Sequence, residues 1–177
     1  MEFAQLVQER RSVRAYKEAE IRKEDIEEIV KTALFAASWK NTETGRYYVA
    51  LSEEAKKAVC EALPEFNRNS SKNAAYIVAA FKKGESGYSN SINDFTDDLR
   101  DSWGAYDLGL QSSYLLLKAR ELGYDTLIMG IRDDRKIREY FNIPEDEAIM
   151  PVIAIGKRDG DPQLRPRKDI KDVLMIK

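Results

Sequence analysis

"WGAYDLGLQSSYLLLKARELGYDTLIMG", residues 103–130, is the stretch on which the fold turns. Its first part, 103–122, reads as the longest helix of the chain. The leucines of that helix fall on more than one face, which predicts burial on most sides or against a second subunit. Gly123 caps it, because glycine takes the left-handed conformation past a helix end without steric cost. "YDTLIMG" (124–130) then reads as a strand closed by a glycine.

Around this unit the chain alternates between two hydrophobic periods. "AAYIVAAF" (74–81) is a continuous apolar run, the pattern of a strand covered on both faces, and "RYYVAL" (46–51) is rich in β formers. "AIMPVIAIG" (148–156) is a further strand, in which Pro151 marks a sheet edge or a bulge. Between them stand helical segments. Phe3, Leu6 and Val7 give a short amphipathic turn. Ile26, Ile29, Val30, Ala33, Leu34 and Ala37 form one stripe of a helix over 23–38, with acids at its start where the dipole favours them. Ser52 reads as the N-cap of a helix ending before Pro64, and 133–141 as a short helix stopped by Asn142 and Pro144. Residues 82–98 form the longest irregular segment, either a lid or a disordered loop. This order predicts an α/β sandwich around four or more strands, in one domain spanning 1–177 with no repeat or linker.

Composition excludes several chemistries. Of 177 residues, 43% are apolar and 34% charged, with 29 basic against 31 acidic side chains. That balance gives no global field for nucleic acid or membrane, so any basic site must be local. "MEFAQLVQER" lacks the apolar core of a signal peptide, and no run approaches the roughly 20 apolar residues of a spanning helix. The single Cys60 forms no intramolecular disulfide and suits a cytoplasmic location; beside an apolar stripe it reads as structural. The chain has no histidine, which removes histidine triads and histidine general bases. Catalysis must rest on carboxylates, on Cys60, or on a bound cofactor.

"QERRSVRAY" (8–16) places Arg10, Arg11 and Arg14 around Ser12. Two readings stand: basic side chains at a helix C-terminus, or a helix ending at Ser12 whose guanidiniums converge with the hydroxyl on a phosphate. "LRPRK" offers Arg165 and Arg167, which point the same way in an extended chain, or a solvated basic tail. "ASWKNTETG" (37–45) is either an ordinary turn or a polar rim for a ring or sugar. Trp39 reads as core, rim or stacking platform, and Gly130 as a turn glycine or a close backbone approach to a ligand.

Together, "RRSVRAY", "AASWKNTETGRYYV", the 103–130 unit and "PVIAIGKRDGDPQLRPRKDIKDV" resemble the nitroreductase family of FMN-dependent NAD(P)H oxidoreductases. The resemblance covers nearly the whole chain. It implies an α+β fold, a mixed or antiparallel central sheet flanked by helices, in an intertwined homodimer with FMN at the subunit interface. It further implies ping-pong hydride transfer from NADH or NADPH, through flavin N5, to a small-molecule acceptor such as a nitroaromatic or quinone. The motif positions imply that Arg10, Arg11, Ser12 and Arg14 hold the FMN phosphate and ribityl chain, with Arg165 and Arg167 closing the same site. Ser38, Trp39 and Asn41 would reach the flavin of the other subunit. Asn67 would meet its pyrimidine edge, and Met129 and Gly130 its N5 region. Lys40, Arg68 and Lys72 are the candidates for the N1/O2 edge. The chain departs from the family pattern with alanine for proline at 37, glutamate for glutamine at 43, and glycine for an aromatic at 45.

Overall fold

In a computed structural model that describes residues 2–177, the last strand is the axis of the fold. β7 (Glu147–Arg158) pairs antiparallel with β3 (Ala75–Lys82), and β3 pairs antiparallel with β2 (Gly45–Ala50). β6 (Asp125–Met129) and the two-residue β1 (Tyr16–Lys17) also pair antiparallel with β7. Pro151 sits where the β3–β7 register shifts and where β6 runs out at Val152, so it removes no ladder hydrogen bond from a regular stretch. The bulge reading of that proline holds.

The continuous apolar runs are explained by two packed faces. Tyr76, Val78, Val152 and Ala154 face α3 (Glu53–Glu61) and α6 (Asp134–Phe141), which contribute Ala55, Val59 and Ile137. Ile77, Ile153 and Ile155 face α2 (Lys23–Ala33) and α5 (Ser102–Glu121), which contribute Ile26, Ile29, Leu115 and Ala119. Successive side chains of β3 and β7 thus enter opposite cores, the period of two that a strand imposes. The fold is α+β with helices on both sides of an antiparallel sheet.

α5 buries one stripe: Gly104, Asp107, Leu108, Gln111, Ser112, Leu115 and Ala119. Tyr106 and Tyr114 face outward. The stripe carries polar residues and the opposite face carries aromatics, which is why the leucine pattern alone gave no single face. Gly104 lets the helix press onto β3, because a Cβ there would stand 2.4 Å from the Phe81 ring.

The structure departs from the sequence reading in four places. α2 ends at Ala33 rather than at 38, and the chain turns through Thr32 and Ala33 carbonyls at Phe35 and Ala36. α1 (Phe3–Glu9) buries Leu6 but leaves Phe3 and Val7 exposed. The segment 82–98 is not structureless: β4 (Tyr88–Ser89) and β5 (Asp94–Phe95) form a small hairpin. Between α3 and β3 lies α4 (Glu65–Ser70).

Candidate functional site

The N-terminal arginines stand at the junction of α1 and β6. α1 ends at Glu9, with Arg10 already extended as its cap, three residues before the predicted end at Ser12. The edge of β6 is the cause. Ser12 bridges Thr126 in parallel, and the Val13 N–H donates to the Thr126 carbonyl at 3.0 Å. Val13 is buried there, so the alternation of an extended chain turns Ser12 and Arg14 outward.

Arg10 is half-buried, and among the described residues it has no ion pair and no side-chain hydrogen bond. Burial lowers its pKa from the ordinary guanidinium value, and the like charges of Arg167 and Arg11 lower it further. The charge of Arg167, from the other end of the chain, is thus felt at Arg10. Arg14 donates only to the Ser12 carbonyl, at 3.3 Å, and Arg165 and Arg167 are exposed without acidic partners. Arg11 turns differently. It donates to the carbonyls of Gln8 and Arg10, and lines a cavity of about 440 Å³ with Glu9, Arg120 and Arg158. The cluster around Arg10 thus gathers positive charge that no carboxylate among the described residues pairs with, a surface that favours anions.

Along β6 from Ser12, Met129 is buried and Gly130 lies open at the strand end. A Cβ on Gly130 would meet nothing within 4 Å. Asn67 is buried in α4 and donates to the Ile131 carbonyl at 3.1 Å, fixing the turn that follows Gly130. Arg68 donates to the Leu63 carbonyl at 3.0 Å and, with Lys72, lines a wider hollow of about 1250 Å³ bounded by residues 18–24 and the start of α3. None of the Arg10 cluster lines that hollow, whose charges are of both signs: Glu53 pairs with Lys56, while Arg22, Lys23 and Lys57 pair with acids just outside the lining. What sets the Arg10 cluster apart is that its charges are all of one sign, whereas the hollow mixes both.

The loop 38–43 is elsewhere. It is a single 3-10 turn over Trp39–Asn41, with Lys40, Asn41 and Glu43 all at positive φ. Such conformations cost energy for residues with a Cβ, and this loop is held in them from several directions. The Ser38 hydroxyl accepts from the Glu43 N–H at 3.2 Å, Asn41 donates to the Glu43 carboxylate at 2.8 Å, and Asp107 accepts from the Trp39 N–H at 3.0 Å. Glu43 is thereby engaged by Asn41 inside the loop. Arg120, near the other end of α5, pairs with Glu9 of α1 at 3.5 Å. At 1.5 Å rise per residue, positions 107 and 120 are about 20 Å apart along the helix. Within one chain, Ser38, Trp39 and Asn41 therefore stand far from the Arg10 end of α1.

Sequence reasoning passed over Asp107 and Gln111. Both are buried on the inner stripe of α5, and Gln111 accepts from the Tyr47 hydroxyl at 3.0 Å. Gly45 is required by Gln111, whose carboxamide oxygen would stand 1.9 Å from any Cβ there. The available signal was a polar pair four residues apart on a long apolar helix, following a glycine at 104.

The fold defines a class of α+β protein with an antiparallel sheet between two layers of helices. The family model described as "Nitroreductase family" matches residues 7–157, and the chain belongs to that family. It is 29% identical over 159 residues to a "Putative NADH dehydrogenase/NAD(P)H nitroreductase" of Archaeoglobus fulgidus, covering 88% of this chain and 84% of that one. It is 28% identical over 186 residues to the "Putative NAD(P)H nitroreductase YdgI" of Bacillus subtilis, with 88% of each covered. Among solved structures, a "putative nitroreductase in complex with FMN" from Exiguobacterium sibiricum superposes with a TM-score of 0.87 at 25% identity, over 100% of this chain and 98% of the other. Among the described residues, no helix is long and apolar enough to cross a membrane.

Proposed function

We propose that residues 1–177 form one FMN-binding domain, and that two copies act as an NAD(P)H-dependent oxidoreductase reducing nitroaromatics, quinones or related electrophiles. The observation that carries this reading is the half-buried Arg10, repelled by Arg167 and Arg11 and without a carboxylate of its own. A phosphate monoester supplies the missing charge, and guanidinium forks match its oxygens. The chemistry of these residues suits FMN: Arg10, Ser12 and Arg14, with Arg165 and Arg167, would hold the phosphate, and the open backbone at Met129–Gly130 would let a flat ring approach. The chemistry supplied by bound FMN is hydride transfer, from NAD(P)H in one half-reaction and to the acceptor in the next.

The chain's own part is binding and positioning. Asn67 fixes the turn after Gly130 through the Ile131 carbonyl. Ser38, Trp39 and Asn41, far from the clamp in their own chain, serve the site of a second copy. The exposed Phe3, Phe35, Tyr106, Tyr114, Ile131 and Met175 supply apolar surface for that copy to cover.

The test is direct. Purified protein is titrated with FMN and then mixed anaerobically with NADH or NADPH. Bound yellow flavin that bleaches and is reoxidised by a nitro compound or quinone is the expected result. Protein that binds no added FMN overturns the proposal, and bound flavin that neither nicotinamide bleaches reduces it to a flavin-binding protein.

A further inference from the structure

The buried carboxylate of Asp107 has no part in the clamp. It is 2% exposed, and no cation pairs with it among the described residues. One oxygen, Oδ2, receives two donors from distant parts of the chain: the Trp39 N–H at 3.0 Å and the Ser86 hydroxyl at 2.6 Å. Trp39 belongs to the loop 38–43. Ser86 belongs to the segment 83–100 that carries the β4–β5 hairpin.

A second set of contacts joins the same two segments. The Trp39 and Trp103 rings lie 4.7 Å apart, tilted by 47°. The Trp103 indole N–H donates to the Asp97 carboxylate at 3.0 Å, and Gly87, at φ +81°, lies so close that a Cβ would stand 2.7 Å from the Trp103 ring. The hairpin also has the build of a movable element. Gly84 and Gly87 are both left-handed, Gly84 has open space around it, and Ile92 and Leu99 are exposed. The loop on the other side of Asp107 holds three non-glycine residues at positive φ, a state that persists only while its tethers do.

We propose that Asp107 is a positioning residue that couples the 83–100 hairpin to the loop 38–43, so that the hairpin's seating over an acceptor sets the geometry with which Trp39 and Asn41 face the flavin. This rests on the reading of that loop as a flavin contact. With Ser86 seated, the carboxylate is fixed and holds the Trp39 N–H. When the hairpin lifts, Oδ2 loses its stronger, shorter partner, Trp103 loses Gly87 and Asp97, and the loop is free to leave its left-handed conformation.

The chain contains two tryptophans, Trp39 and Trp103, so emission excited at the red edge of absorption, where the nine tyrosines do not absorb, reports on this joint. The full-length protein is measured before and after FMN loading, as Ser86→Ala, Asp107→Ala and the double variant. Ser86→Ala is expected to change the emission and to weaken FMN binding about threefold to tenfold, the worth of one hydrogen bond. In the Asp107→Ala background the same change is expected to alter FMN affinity by less than about twofold, since the transmitting group is gone. Unchanged emission in Ser86→Ala overturns the coupling, as does an equal effect in both backgrounds. Should Asp107→Ala fail to fold, Ser86→Ala alone still decides, because it deletes only a hydroxyl. Changed emission with unaltered FMN affinity in both Ser86→Ala and Asn41→Ala overturns the flavin end of the proposal. Failure of the functional reading itself is distinguishable, because the unmodified protein then binds no FMN.

Discussion

Two arginine groups flank the start of β6, and their electrostatics are opposite. In one, Arg158 reaches Asp125 through two hydrogen bonds of 2.8 and 2.9 Å, and Arg120 adds a third at 3.0 Å. Asp125 is 3% exposed, and Glu9 and Asp161 supply further negative charge around it. In the other, the like charges of Arg167 and Arg11 bear on Arg10, and among the described residues Arg10, Arg14 and Arg165 form no ion pair. A guanidinium group folded together with its carboxylates holds structure. One assembled without them is, in the proposed function, completed by a phosphate.

The comparison breaks most severely at Asp125. Asp125→Ala leaves Arg120 and Arg158 facing each other without their shared anion, and should cost about 3–5 kcal/mol of stability, read by denaturant unfolding. A loss below about 1 kcal/mol would place the two groups in the same class. At the other cluster the sign reverses. Arg10→Ala or Arg167→Ala should weaken FMN binding by about 1.5–3 kcal/mol in titration, yet leave the apoprotein as stable as before or slightly more so. Loss of apoprotein stability equal to that of Asp125→Ala would show that Arg10 is structural.

A smaller effect sharpens the charge argument. Inorganic phosphate at a few times its dissociation constant should stabilise the apoprotein by about 1 kcal/mol, a rise in Tm of about 2–4 °C. The rise should vanish in Arg10→Ala/Arg167→Ala and survive in Asp25→Asn. Asp25 gives the smallest effect. Hydrogen bonds from Arg22 and from the Tyr124 hydroxyl, at 2.6 Å, hold its carboxylate below the usual range. A depressed carboxylate contributes stability above its unfolded pKa, about 3.9, and loses it as pH falls through the lower folded value. Asp25→Asn should therefore flatten the acid limb of stability against pH and change the neutral-pH FMN affinity not at all.

Much of the fold was legible because both strand and helix periods are strong here. The runs at 74–81 and 148–156 read as doubly covered strands, and Ile77 and Ile153 against Val78 and Val152 are the two faces of that cover. Pro151 was readable as a bulge for the same reason. α1 was read too long because helix propensity at "RRSV" says nothing of the β6 edge that captures Ser12 and Val13. The site was legible only in halves. "QERRSVRAY" and "LRPRK" each allowed a solvated basic face, and no local feature of either excludes it.

The sequence by itself determined the main strands and the longer helices, the absence of histidine chemistry, and the motif order by which the family is known. Tertiary structure decided which arginines are neutralised. Arg120 and Arg158 are as basic in sequence as Arg10 and Arg167, but only folding delivers Asp125 to the first pair and withholds any carboxylate from the second. It likewise decided that Asp107, an unremarked acid in a helix, stands between the hairpin and the loop. Charge pairing is a property of through-space distance, and residues far apart in the chain acquire one only when the sheet brings their strands together.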